Sequence, residues 1–167
     1  KQTTLYVDHN GRVTSAIVES LDKDYYDMKE LQDWTQQEVD AYNKENGDDA
    51  VVIKKCEKED KNAKVTLEYA SMKDYSEFNH VDAFFGTIEE AAREGYDFED
   101  EFDSSKGKPS IGYTELEGSK EYYVLITEES QTIVLDDDIL YASPNVKVKG
   151  DTAAIENDNK GLAYIIY

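Results

Sequence analysis

The stretch TTLYVDHNGRVTSAIVESL, Thr3 to Leu21, decides the fold class. Two runs rich in β-branched and aromatic residues flank an Asn10-Gly11 pair. Asn-Gly between alternating apolar residues is a strong hairpin signal, because tight turns of this kind need positive φ. Strands are therefore expected over about 3–8 and 12–20. The turn Asp8-His9-Asn10-Gly11 also presents carboxylate and carbonyl oxygens, but its backbone requirement alone accounts for it.

Downstream, in DKDYYDMKELQDWTQQEVDAYNKENG, Met28, Leu31, Thr35, Val39 and Tyr42 recur at three- and four-residue steps and Trp34 widens the stripe. That spacing predicts an amphipathic helix over about 27–46, capped by Asp27 with Glu30 and stopped by Asn46-Gly47. With Trp34 docked, its truncation to Ala is expected to cost about 3–5 kcal/mol. Two more strands are expected, Ala50 to Glu57 and Lys64 to Ser71, then a helix over about 72–82 carrying Met72, Tyr75 and Phe78. Lys23-Asp24-Tyr25 and Lys73-Asp74-Tyr75 stand at matching places in the two halves of this order. Two hairpin-helix (ββα) units would build one antiparallel sheet with the helices on one face.

From Gly112 onward, short apolar runs at Tyr122–Ile126, Thr132–Leu135, Ile139–Ala142, Val146–Val148, Thr152–Ile155 and Leu162–Tyr167 are split by turn-forming residues. Their regular spacing predicts a C-terminal antiparallel β-meander. The expected organisation is thus one α+β domain over 1–167, with an N-terminal part to about 103, a linker at about 104–111 and the meander from about 112.

Composition fits that size class, since a domain of roughly 150 residues buries about 68–70% of its unfolded surface. Lys and Arg number 18 against 38 Asp and Glu, a formal charge of −20 spread along the chain. Such a surface repels phosphate backbones and anionic lipids, which excludes nucleic-acid binding and membrane binding through a basic face. Cys56 is the sole cysteine, so neither an internal disulfide nor a thiolate zinc cluster can form. Within VVIKKCEKE it reads as a small, half-buried hydrophobe.

The stretch FFGTIEEAAREGYDFEDEFD, Phe84 to Asp103, offers the main candidate site. Thr87-Ile88-Glu89-Glu90 matches a capping box that opens a helix over about 88–94, ended by Gly95. Glu89 and Glu90 already place negative charge in its first turn and would compete with any anion there. Asp97, Glu99, Glu101 and Asp103 then alternate with Phe98, Asp100 and Phe102. Clustered carboxylates are what calcium requires, so these four form a candidate calcium site. The run lacks the D-x-[DN]-x-[DN]-G loop pattern, and the competing expectation is that Phe98 and Phe102 pin a loop while the acids stay solvated. Asp136-Asp137-Asp138 and Glu156-Asn157-Asp158-Asn159 are weaker offers of the same kind.

No catalytic residue is assigned. His9 lies in a turn, and no G-x-S-x-G, H-E-x-x-H or Walker pattern occurs. His80, with Asp82 or Asp74 as orienting partner, could act as a base, but a partly exposed histidine closing a helix is the favoured account. Tyr122, Tyr123, Tyr141 and Tyr164 could line a glycan-stacking face, or simply fill sheet surfaces.

Three stretches, TTLYVDHNGRVTSAIVESLDKDYYDMKELQDW, FNHVDAFFGTIEEAAREGYDF and LYASPNVKVKGDTAAIENDNKGLAYIIY, together resemble a group of uncharacterised secreted lipoproteins of anaerobic Gram-positive gut bacteria. The resemblance implies a precursor with a signal sequence and a lipid-modified cysteine upstream of Lys1, tethering the domain to the outer face of the membrane. The leading expectation is a monomeric, non-catalytic surface domain that binds a glycan, peptide or protein. Its rivals are a carboxylate-dependent hydrolase of polysaccharide and an assembly protein that pairs through a sheet edge.

Overall fold

The computed structural model describes residues 2–21, 27–98, 101–155 and 161–167. The predicted hairpin forms, with β1 (Gln2–Val7) and β2 (Val13–Ser20) antiparallel. Its connection is longer than the two-residue turn that Asn-Gly favours. Only Gly11 takes positive φ, 81°, while the Asp8 carboxylate accepts from the amides of Asn10 and Arg12 at 2.9 and 3.0 Å and holds the loop.

Next come α1 (Met28–Asn46), β3 (Val51–Glu59), β4 (Asn62–Tyr69) and α2 (Met72–Asn79). Asp27 caps α1 by accepting from the Lys29 amide at 2.7 Å, and Gly47 at φ 115° ends it. The helix docks through Thr35 and Val39, with Tyr42 packed against the same core. Trp34 does not join them. It is 60% exposed, because one helical step away from Thr35 turns it off the buried stripe.

The remaining elements are β5 (Ala83–Thr87), α3 (Ile88–Arg93), β6 (Asp103–Ser104), α4 (Tyr113–Leu116), β7 (Tyr123–Thr127), β8 (Thr132–Leu135), β9 (Tyr141–Ala142), β10 (Val146–Lys149), β11 (Thr152–Ile155) and β12 (Ala163–Ile166). Together the strands make a mixed α+β fold with two sheets. The larger has the order β10-β11-β8-β1-β2-β4-β3 and the smaller β5-β7-β12-β9-β6. The C-terminal third is therefore not a meander: β7, β9 and β12 belong to the smaller sheet, and β8, β10 and β11 to the larger. Regular spacing fixed where the strands lie, but it carries no information on which neighbour each one finds. β8 runs parallel to β1, with Ile133 opposite Leu5, so the larger sheet is mixed rather than antiparallel.

The inner face of the larger sheet carries the row Val148, Ala153, Ile133, Leu5, Ser15, Leu67 and Ile53 across all seven strands. Leu125, Ala163 and Ile165 of the smaller sheet pack on this core, as do Val39 of α1 and Met72 and Tyr75 of α2. The smaller sheet is covered on its other face too. There Val124, Ile126, Tyr164 and Ile166 meet Ile88 and Ala91 of α3, Leu116 of α4, and Phe98 and Phe102 from the connecting loop. The stretch 104–111, expected as a linker, begins within β6, which pairs with β9, and the Ser105 hydroxyl donates to the Ile139 carbonyl at 2.5 Å. No described helix is long and apolar enough to cross a membrane.

Burial separates two substitutions that composition alone would rank the other way. Urea unfolding is expected to show Leu5→Ala, fully buried, losing about 2–5 kcal/mol. Trp34→Ala, on the solvent side of α1, should stay within about 0.5 kcal/mol of the parent. A Trp34→Ala loss matching that of Leu5→Ala would contradict this docking of α1.

Candidate functional site

A concavity of about 780 Å³ opens where the β1–β2 turn, α2, β5 and the loop after α3 converge. Local sequence builds each wall. Gly11 must be glycine, both for its positive φ and because a Cβ there would lie 2.8 Å from the Phe85 ring. Gly86, in β5, would set a Cβ 2.8 Å from a Glu90 carboxylate oxygen and from the Phe84 ring. Its lack of a side chain leaves room for the capping box, which forms as predicted: the Glu90 amide donates to the Thr87 hydroxyl at 3.2 Å and the Thr87 amide to the Glu90 carboxylate at 2.9 Å. Those hydrogen bonds hold the Glu90 carboxyl below the usual carboxylate range.

Phe84, Phe85, Leu162 and Tyr164 line the apolar part of the cleft, and Glu77, Asp82, Glu94 and Asp97 bring carboxylates to it. Phe84 packs on Tyr96 with ring centroids 5.3 Å apart. The Tyr96 hydroxyl donates to the Asp82 carboxylate at 2.5 Å, and burial, followed by that bond, pushes its pKa up. Lys73 forms an ion pair with Glu77 one helical turn away, which leaves the lining acidic in balance.

The acid run that sequence singled out is divided. Asp97 and Glu101 line a second cleft of about 760 Å³ beside Tyr113 and Glu115, whereas Asp103 sits in β6 and accepts from the Ser110 hydroxyl at 3.4 Å. Glu99 lies outside the described residues, as do Glu156 to Asn159. Phe98 and Phe102 are 5% and 1% exposed, while Asp97, Glu101 and Asp103 are exposed. Among the described residues, no three His, Cys, Asp or Glu side chains group so as to hold a metal ion. Asp136 accepts from both the backbone amide and the ring of His9, at 3.0 and 2.9 Å, and Asp138 pairs with Lys106 at 2.9 Å.

His80 ends α2 in the left-handed conformation at φ 55° and is exposed. Its two candidate partners are engaged elsewhere, Asp74 by the Ser71 and Tyr42 hydroxyls and Asp82 by Tyr96. Nor do the four tyrosines form one stacking face. Tyr164 is buried between Phe98 and Phe102, Tyr122 meets Tyr141 edge-on, and Tyr123 stacks on Phe85 with centroids 5.9 Å apart.

Sequence reasoning missed a polar anchor behind the cleft. The buried Tyr75 hydroxyl donates to Glu129 at 2.5 Å and lies 3.4 Å from Gln131, tying α2 to the β7–β8 connection. Desolvation first, then the Glu129 carboxylate, drives its pKa upward. No sequence signal pairs residues 75 and 129, since only the fold brings them together. No family model, curated protein or solved structure matches the chain.

Tyr69, Tyr75 and Tyr167 share one titration behaviour, because burial is the first cause raising each phenol. A pKa raised in the folded state means stability that is fully present below the free phenol value of about 10 and lost as pH rises through the folded value. Tyrosinate absorbance is therefore expected to show part of the 13 tyrosines ionising only as circular dichroism reports unfolding. Full ionisation near pH ~10 with the fold intact would overturn the buried-phenol assignment.

Proposed function

We propose that the chain is a non-catalytic binding domain, held outside the cell by a lipid anchor in its precursor, and that its ligand occupies the 780 Å³ cleft. The anchoring rests on the family resemblance. The cleft rests on one observation: an aromatic and aliphatic wall of Phe84, Phe85 and Leu162 shares it with carboxylates from α2, the α2–β5 connection and the loop after α3.

That chemistry selects the ligand class. Aromatic faces accept the apolar face of a sugar ring or a planar side chain. Carboxylates accept hydrogen bonds from hydroxyls and ammonium groups and reject phosphates and sulfates. A neutral or amino-substituted glycan fits both demands, and a basic peptide fits the second. Assembly through a sheet edge is the weaker reading. The β3 edge carries Lys54, Lys55 and Lys58 and an irregularity between Ile53 and Lys55, and the β10 edge carries Lys147 and Lys149. Charged side chains and bulges of this kind blunt edge pairing.

A glycan and peptide array followed by calorimetry tests the proposal. A neutral or cationic hit should lose about tenfold in affinity, roughly 1.4 kcal/mol, in Phe84→Ala and in Asp82→Asn, with the melting temperature of Asp82→Asn nearly unchanged. Hits confined to anionic ligands, or binding indifferent to both substitutions, would refute the cleft as the site.

A further inference from the structure

Of the four sheet edges that the described strands form, three are blunted. β3 carries Lys54, Lys55 and Lys58 with an irregularity, β10 carries Lys147 and Lys149, and β6 is two residues long. β5, which closes the smaller sheet, has none of these devices. Its sequence Ala83-Phe84-Phe85-Gly86-Thr87 holds no charge and no proline, and its register with β7 is unbroken. Natural proteins usually cover or charge an apolar, regular edge of this kind. Here the edge runs along the cleft, with Ala83, Phe84 and Phe85 in its lining.

Hydrogen-bond alternation fixes which backbone groups of β5 face outward. Tyr123 and Tyr167 exchange both amide bonds, at 2.8 and 3.1 Å, so odd-numbered residues of β7 bond to β12. Even-numbered ones bond to β5, as the Glu128 amide just beyond β7 does to the Asp82 carbonyl at 3.1 Å. Phe84 and Gly86 are thereby bonded to Ile126 and Val124, and Ala83, Phe85 and Thr87 turn their amides and carbonyls away from the sheet. The Thr87 amide donates to Glu90 at 2.9 Å. Among the described residues, no hydrogen bond reaches the amides or carbonyls of Ala83 and Phe85. These four groups present two donors and two acceptors about 7 Å apart, the spacing of alternate residues in a strand.

We propose that the cleft binds an extended peptide segment of another protein, added as a further strand on β5, with a lysine or arginine beside Phe84. Strand addition presupposes the cleft as the binding site and selects, among its ligand classes, a peptide. A glycan can use the Phe84 ring, but a polypeptide is what matches donors and acceptors in strand order. Asp82, Phe84 and Gly86 alternate with Ala83 and Phe85, so a side chain beside Phe84 emerges on the face that holds Tyr96. A basic residue there lays its methylene stem on the Phe84 ring and carries its cation to the carboxylates. The ion pair of Lys73 with Glu77 removes those two charges from the lining. It leaves Asp82, which accepts from the neutral Tyr96 phenol, and Glu94, which enters none of the described ion pairs. A second copy is a poorer occupant, because α2 and the β1–β2 turn wall the cleft and admit one chain more readily than a sheet edge with its own covering helices.

The probes are two synthetic hexapeptide libraries, one with lysine or arginine fixed at a central position and one with glutamate there, each hit being titrated by calorimetry. Saturable binding is expected from the basic library and none from the acidic one. In a basic hit, N-methylation of one alternate set of amides should weaken binding about tenfold or more, and methylation of the other set should hold it within about twofold. Ala83→Pro removes an outward amide at a position where an edge strand tolerates proline, and should weaken the same hit about tenfold with the circular dichroism spectrum kept. If that variant unfolds, the two methylated sets decide alone. Equal effects of the two sets, or no saturable basic hit, overturn strand addition; a neutral glycan that then binds, and weakens in Phe84→Ala, leaves the cleft as the site. Peptide hits indifferent to Phe84→Ala overturn both readings. Concentration-dependent dimerisation abolished by Ala83→Pro overturns the peptide in favour of self-association through β5.

Discussion

The pairing of β8 alongside β1 holds the molecule together. β1 lies inside the larger sheet, bonded to β2 from its own hairpin on one side and to a strand more than a hundred residues later on the other. This contact sets Ile133 beside Leu5 at the centre of the inner row, both fully buried. β7 enters the smaller sheet only a short connection before β8 enters the larger one, and the chain later crosses back for β9, again for β10 and β11, and finally for β12. Crossings of this kind stitch the two sheets together covalently while their facing side chains share one core. Contacts so distant in sequence cost loop-closure entropy before they reward it, and that slows folding.

Much of this was legible. The Asn10-Gly11 pair between two runs of β-branched and aromatic residues located the first hairpin, the three- and four-residue stripe located α1, and Thr87-Ile88-Glu89-Glu90 located the start of α3. Partner choice was not, because alternation reports which face is buried and says nothing about the neighbouring strand. One unused signal was available. YVLIT and AYII are continuous apolar runs and become β7 and β12, nearly all buried because the smaller sheet is covered on both faces. QTTLYV and TIVL alternate and become strands with one open face. That contrast in pattern divides the strands between two sheets. Trp34 misled for the opposite reason. A large aromatic beside an apolar stripe suggests core, yet the turn between neighbouring helical positions was enough to leave it in solvent.

The candidate cleft follows from the same stitching. Its walls come from the β1–β2 turn, α2, β5 and the strand β12 region, segments brought together only once both sheets have formed. Sequence proposed a continuous acid run from Asp97 to Asp103 as the site. The fold instead spends Phe98 and Phe102 as anchors and so separates Asp103 from Asp97 and Glu101. Glu77, unremarkable in the sequence, and Asp82, read there only as a partner for His80, gain their place from Lys73 and Tyr96. The open face of the larger sheet was equally invisible before register was known, because Lys55, Thr66, Ala16, Thr4, Thr132, Ala154 and Lys147 form a row only through pairing.

Amide hydrogen exchange in the native protein tests the shared core most directly. If the two sheets open as one cooperative unit, amides in β1 and β8 and amides in β7 and β12 exchange with the same, global opening free energy. Exchange of β7 and β12 at a distinctly lower free energy, with β1 and β8 still protected, would show the smaller sheet opening by itself and contradict the account.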